Sequence, residues 1–517
     1  MKRIISIILC LSIIFGFSAN GFSAVETASS SVNTNKTDNS VTATEFAQKL
    51  NSLIEYSESL SFANEKGEFE TARLIVKSSA EINTDNTVSV VNGFDDLWVL
   101  QYASPEDAET AFNSFKNRDD IEFVEADKKV SAISSAESMH IPYEQSLDDR
   151  LSWGPSYIGI DVMNDKFIEQ NLTLQNVTVA VIDTGVDHTH EFLKDRVVPT
   201  RINTCGEGER NSSMDDNGHG TQIAGVIVDS TPDNVTVRAY KALDRYGNGT
   251  LVSVAAAINC AVKDGVDVIN ISLGFYEESE VLKSAIHNAY VNDIFIVAAA
   301  GNDKTNAPYY PSSYNEVVRV GAVNERGIVA NFSNYTDIDI SAPGVSVYTT
   351  TLNNGYQNVS GTSIASPFVA SVAAMILSVS PEATPEDLTN IITDNAVDVM
   401  ENDSSIYYGA GILYSPEAHE NYTNYTKTAT PVFSHTTAIY RETFELTITC
   451  DTPDAVIYYT TDRTIPFKRN PNAKIYDGTP IIIDKTTTIL ASAYSDGAYR
   501  SSIADFSAIV APYVTAD

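Results

Sequence analysis

The stretch DDNGHGTQIAG, residues 215–225, sets one of the chain's 7 histidines between two glycines and beside two carboxylates. An imidazole in that setting can serve as a base, as a ligand, or as a polar group at a helix start. Asp183, in VAVIDTGVD, ends an apolar run 36 residues before His219, and Ser363, in SGTSIASPFVASVAAMIL, opens another apolar run 144 residues after it. A serine hydroxyl becomes a useful nucleophile when an imidazole removes its proton. A carboxylate that fixes the imidazole tautomer and stabilises the imidazolium makes that transfer easier. Each residue alone has a plainer reading: a turn aspartate, a structural histidine, a serine capping an apolar helix. Brought together, the three could perform acyl transfer.

Such residues must be presented by elements that converge. From about 150 to 415 the sequence alternates strands and helices. VTVAVIDTG, VTVRAYKAL, VDVINISLG, IFIVAAAGN and VVRVGAV are near-continuous apolar runs of strand length, as expected of a mostly parallel sheet buried on both faces. TLVSVAAAINCAVKDG and EVLKSAIHNAYVND read as the helices between them. This predicts a doubly wound α/β fold with functional residues at the carboxyl ends of its strands. Before it, residues 71–134 read as a small α+β unit with strands at ARLIVKS and LWVLQYA, a capped helix at SPEDAETAFNSFKN and a closing strand at IEFVEADKKVSAI. A polar linker, 416–430, leads to residues 431–517, which read as a small all-β sandwich.

VIDTGVD, NGHGTQIAG and SGTSIASPFVA resemble the three signature motifs of the subtilisin-like serine proteases, or subtilases, over about residues 150–415. The resemblance implies that Asp183 orients, His219 is the general base and acid, and Ser363 is the nucleophile of an acyl-enzyme mechanism. It implies an oxyanion role for Asn302, in AAAGND. Substrate would lie extended between Gly247–Gly249 and Ser272–Leu273–Gly274, adding a strand by main-chain bonds. The latter segment, with Ala299, Ala300 and Gly301, would wall a broad, mainly apolar S1 pocket, and Asp303 lies where it could tolerate a basic P1 side chain or stand as a solvated carboxylate. The chemistry needs no cofactor and no catalytic metal. The tight calcium site is expected to be absent, because Phe192 stands where relatives that have it carry an aspartate and the loop after HGTQIAG is short, while other structural calcium sites stay open. Gln222 replaces the second histidine of the usual HGTHVAG, outside the catalytic set. Residues 71–134 resemble the family's inhibitory propeptide, which assists folding and places its tail in the cleft until cut. A mature N-terminus is then expected between Ser131 and Ser152, with Met139 and Tyr143 as residues able to fill an apolar S1 pocket. Residues 431–517 resemble the β-sandwich domains at the C-termini of chitobiase-like enzymes, which points to a carbohydrate or surface ligand, or to a spacer.

Residues 1–24 have basic residues, a short apolar core and small residues, the pattern of a signal peptide, with Ala19, Gly21 and Ala24 as alternative cut sites. Residues 25–70 follow as a flexible leader and a helix at EFAQKLNSLIEYSESL. The expectation is a secreted, extracellular, self-processing monomer acting on proteins or peptides. A net charge of −35 argues against a nucleic-acid partner, whose phosphates it would repel. Removal of Cys10 leaves Cys205, Cys260 and Cys450, too few for a disulfide scaffold, with a Cys205–Cys260 bridge left open. Two alternatives remain at this point: an inactive adhesion module on the same fold, and a metallohydrolase using Asp183, His188, His190 and His219 without the usual HExxH spacing.

Overall fold

The computed structural model describes residues 49, 69–78, 82, 84, 86–92, 96–133, 151–206, 211–397, 405–415, 426–462, 466, 472–495, 498–499, 501 and 503–510. The expected signal peptide, nearly all of the leader and its helix, the interval 134–150 and most of the polar linker lie outside them. Apart from the first forty residues, the chain forms one unit, Val41–Asp517.

The first described layer is an antiparallel sheet in the order β2-β3-β1-β4, built from β1 (Arg73–Lys77), β2 (Thr87–Asn92), β3 (Leu97–Tyr102) and β4 (Phe123–Ala126). Helix α1 (Pro105–Phe115) covers one face; Ser104 caps it by accepting the Asp107 N–H at 3.2 Å. Strand period two divides the side chains between two cores. Leu74, Val76 and Leu100 face α1, whereas Ile75, Val91, Leu97 and Val99 pack into a cluster shared with helices further along the chain. The expected closing strand is split: β4 ends at Ala126, and β5 (Lys129–Ala132) leaves this sheet. Asp127 marks the break, its carboxylate bound to Arg73 Nε at 2.9 Å and to the Val252 N–H at 3.0 Å.

Helix α2 (Ile160–Glu169) leads into the central sheet, formed by β6 (Val177–Asp183), β7 (Val197–Asn203), β8 (Val235–Lys241), β10 (Val268–Ile271), β12 (Phe295–Ala299), β13 (Val318–Val323) and β14 (Ile340–Pro343). Its seven strands run in the order β14-β13-β12-β10-β6-β8-β7, all parallel. Two short strands, β9 (Asn248–Thr250) and β11 (Leu273–Gly274), lie beyond the carboxyl ends of β8 and β10. Val177, Val179 and Val181 pack with α3 (His219–Asp229) and α6 (Thr362–Val379) on one face. Ala180 and Ile182 pack with α4 (Leu251–Asp264) and α5 (Glu280–Val291) on the other. Burial on both faces explains the continuous apolar runs and makes the fold doubly wound. Helix α6 is apolar on every side because it runs through the core, with 94% of it buried. A hairpin, β15 (Val347–Thr351) with β16 (Gly355–Val359), packs beside α3, and α7 (Pro385–Asp394) follows α6.

The C-terminal region is all-β, with a five-stranded sheet in the order 438–440, 504–510, 487–494, 456–460, 474–475 and short two-stranded pairs packed on it around Leu446, Ile483, Ile489 and Phe506. Cys205 and Cys260 are buried thiols, so the bridge left open by the sequence does not form.

Candidate active site

Asp183 and His219 meet where the parallel sheet ends, and Ser363 opens α6, which packs against α3. Asp183 is the last residue of β6, fully buried, with Oδ1 accepting the Thr184 N–H at 2.7 Å. His219 is the first residue of α3, and its Nδ1 lies 2.8 Å from Oδ1 and 2.9 Å from Oδ2 of Asp183. Both acceptors are carboxylate oxygens, so Nδ1 carries the proton and Nε2 presents its lone pair. The approach depends on Gly220: a Cβ there would sit 2.0 Å from the Gly185 carbonyl oxygen and 3.2 Å from Asp183 Cβ. Thr350 and Thr349 on β15 donate to the Thr221 and Gln222 carbonyls at 2.8 Å, pinning the first turn of α3.

Ser363 is the second residue of α6. The N-cap position falls to Gly361, with no side-chain cap bond, which removes the reading of Ser363 as a cap. Ser363 Oγ and His219 Nε2 are both buried without a hydrogen-bond partner. Orphaned polar atoms of this kind are rare in folded proteins and concentrate where a reacting group belongs. Ser272 holds the start of α6 by donating its hydroxyl to the Ser363 carbonyl at 2.9 Å, 3.1 Å from Ser366 Oγ. Asn302 follows the end of β12, and its Oδ1 accepts from both the N–H and the hydroxyl of Thr362 at 2.9 Å. That pair fixes the amide so that Nδ2 faces the gap. A Cβ on Gly361 would lie 2.8 Å from Ser363 Oγ and 3.1 Å from Asn302 Nδ2, so the glycine keeps open the space between them.

Burial pushes the His219 pKa down, but the Asp183 charge and hydrogen bond, with Asp215 and the Ile133 carbonyl behind them, lift it above the ordinary histidine value. Asp215 is itself buried and accepts from Thr221 Oγ1 at 2.6 Å and from the Gly218 N–H at 2.9 Å.

The expected strand-addition cleft is occupied by the chain itself. Strand β5 lies between β9 and β11 and is antiparallel to both. Val130 stands opposite Gly249, Ala132 opposite Leu273, and Ser131 opposite Gly274. The Ala132 N–H donates to the Gly247 carbonyl at 2.7 Å, and the Ile133 N–H to the Ser272 carbonyl at 3.3 Å. Ala300 donates its N–H to the Val320 carbonyl, and its own carbonyl accepts from Asn334 Nδ2. Ile133 packs against Ala299, in the expected wall, and against Tyr309. Tyr309 carried no recognisable motif in the sequence. Asp303, read as able to tolerate a basic substrate side chain or as a solvated carboxylate, accepts a hydrogen bond from the Tyr276 hydroxyl.

Of the residues of the metallohydrolase alternative, Asp183 and His219 are in contact, but as a carboxylate–imidazole hydrogen bond. His190 accepts from the Phe192 N–H at 3.1 Å, and its Nε2 lies 3.1 Å from the Gly355 carbonyl. Among the described residues no group of three or more His, Cys, Asp or Glu is gathered for a metal ion.

Comparison with known proteins gives this geometry its context. The model of the subtilase family matches residues 175–411, and that of an Fn3-associated domain matches residues 446–507. Subtilisin DY of Bacillus licheniformis is 38% identical over 262 residues, covering 48% of this chain and 93% of the relative. The thermostable alkaline protease of Halalkalibacterium halodurans is 34% identical over 300 residues, 56% of this chain and 80% of the relative. Subtilisin E of Bacillus subtilis is 33% identical over 299 residues, 55% of this chain and 75% of the relative. With a near-complete subtilisin aligned across the parallel-sheet region, the chain belongs to the subtilase family and is a serine endopeptidase acting on proteins or peptides.

Proposed function

We propose that Ser363 is the nucleophile, His219 the general base and then acid, and Asp183 the group that orients and stabilises the imidazolium. The observation that carries this reading is the two-oxygen grip of Asp183 on His219 Nδ1, at 2.8 and 2.9 Å, with Nε2 and Ser363 Oγ left buried and unpartnered. Ser363 Oγ attacks the scissile carbonyl carbon and its proton passes to His219 Nε2. The developing oxyanion is met by Asn302 Nδ2 and the Ser363 N–H, donors that need no reorganisation as charge builds. His219 returns the proton to the departing amine, and water repeats the sequence on the acyl ester to release the acid.

The finer reading is a secreted proenzyme. Residues 71–134 act as an inhibitory, self-removed propeptide, supported by the seat of β5 between β9 and β11. The catalytic domain spans 150–415 and the β-rich domain 431–517, the latter serving as a carbohydrate- or surface-binding unit on an otherwise monomeric enzyme. No cofactor enters the chemistry. A serine-directed phosphonate tests the core of this reading against a chelator. The phosphonate should inactivate the enzyme and add its mass to the peptide containing Ser363, while a chelator leaves the label and the chemistry in place. Inactivation by chelator with no label on Ser363 would favour metal-dependent hydrolysis.

A further inference from the structure

Resting on that reading, we infer that Tyr309 forms a raised floor to the S1 pocket, so that this endopeptidase cleaves after small and β-branched aliphatic residues. The first such bond is the one following its own Ile133.

The seat of Ile133 carries the argument. Its side chain is only 4% exposed and clusters with Ala299 and Tyr309. Its N–H is held by the Ser272 carbonyl at 3.3 Å, the strand before it is paired on both sides, and its carbonyl reaches the surroundings of His219. Those contacts hold Ile133 extended, in strand addition, at the His219 end of the cleft. The pocket beside it is walled by the segments ending in Gly274 and Gly301. A Cβ on Gly274 would lie 2.4 Å from Tyr309 Cε1, and one on Gly301 would lie 3.3 Å from Tyr309 Cδ1. The tyrosine ring therefore spans the gap between the two walls, and only glycine leaves it room at Gly274.

The ring is not a movable flap. The Tyr309 N–H donates to Ser313 Oγ at 2.8 Å, and its carbonyl accepts from Ser312 Oγ at 2.7 Å. Its ring meets Tyr276 edge to face at 4.9 Å between centroids, and the Tyr276 hydroxyl donates to Asp303. A P1 phenylalanine or tyrosine would need the volume that this ring holds, and overpacking a well-filled site is resisted. A P1 lysine would compete with Tyr276 for Asp303. Ile133, by contrast, already fits. This replaces the broad pocket expected from the small residues of its walls, and it disfavours Met139 and Tyr143 as the residues cut first.

The test is a series of otherwise identical peptides with P1 alanine, valine, isoleucine, leucine, phenylalanine and lysine, given to the mature enzyme. Discrimination in apolar pockets runs to roughly 10–200-fold per misfit group. Valine and isoleucine should exceed phenylalanine in kcat/KM by that order, and Tyr309→Ala should reverse the ranking by opening the floor. Independently of any variant, the propeptide released by the wild-type enzyme should end at Ile133 by mass. A wild-type preference for phenylalanine overturns the inference, as does an unchanged ranking in folded Tyr309→Ala or a released propeptide ending at Met139 or Tyr143. Hydrolysis in the wrong rank order defeats the inference alone. Failure to cleave any of the peptides, with no phosphonate label on Ser363, defeats the protease reading beneath it.

Discussion

A buried imidazole whose Nδ1 proton is shared with two carboxylate oxygens holds its own charge more readily than one in water. At His219 the pull of Asp183 outweighs burial and lifts the pKa. The base must be neutral to accept the serine proton, so kcat/KM should rise with pH through a midpoint above the ordinary value of about 6.5, to a neutral or alkaline plateau. A pH–rate profile with an optimum in strong acid would contradict His219 as base. Asn302 belongs to a different step. Asn302→Ala keeps the nucleophile and base but loses one oxyanion donor, so kcat should fall by roughly 10²–10³, the effect known for the corresponding change in subtilisin, with KM little altered. A fall of only a few-fold would move Asn302 out of the oxyanion site. Asp183, His219, Ser363 and Asn302 were legible as candidates because each sits in a short motif set by local backbone needs. Tyr309 was not, because its effect comes from packing against Gly274 and Gly301, which are distant in sequence.

At the scale of elements, two acidic residues from the β4–β5 segment finish helices they do not belong to. Glu125 Oε1 accepts the Val281 N–H at 2.7 Å and the Ser279 hydroxyl at 3.1 Å at the start of α5, and Asp127 accepts the Val252 N–H at the start of α4. These are the unsatisfied donors that every helix start leaves, and negative charge is favoured there. Burial nevertheless raises the Glu125 pKa to about 7, against the pull of Val281 and Ser279. A carboxyl raised on docking stabilises the docked state fully below its undocked value near 4.5, and that contribution is lost as pH rises through about 7. Propeptide cut in trans from inactive Ser363→Ala should therefore dissociate more readily on going from weakly acidic to alkaline buffer. Glu125→Gln should flatten that dependence, as read by size-exclusion chromatography across pH. An equal slope in the variant would remove Glu125 as its source. The central strands were readable as continuous apolar runs, whereas the edge strands β7 and β14 were not. VVPTRIN carries a proline and polar residues, and ISAP is four residues long and ends in proline, both weak strand signals. The break between β4 and β5 was also hidden, since it is set by Arg73 and Val252, far from Asp127 in sequence.

For the whole molecule, the C-terminal β-region contacts the parallel-sheet region at α7 and at the cluster under α4 and α5. The Tyr494 hydroxyl donates to Glu386 on α7, and Ile503 packs against the cluster that holds α4 and α5. Ser415, by contrast, is buried and bonded through its hydroxyl to the Ile158 carbonyl at 2.9 Å. A chain ending just after Ser415 keeps that anchor and loses the Tyr494–Glu386 hydrogen bond, worth about 1.5–3 kcal/mol, and the packing of Ile503. It should fold, hydrolyse small peptides at a rate close to that of the full chain, and melt slightly earlier by calorimetry. Failure of that chain to fold would make the β-region part of the catalytic core.

The most direct measurement is the fate of Ser363→Ala, produced as the full chain and followed by intact mass. If Ser363 is the nucleophile and maturation runs through the enzyme's own cleft, the variant folds yet stays uncut, with peptide hydrolysis near background, since the three residues act as a unit. A trace of active enzyme then cuts it in trans, because its fold and cut site are intact. Purified Ser363→Ala that matures unaided and cleaves peptides at the wild-type rate would contradict the account.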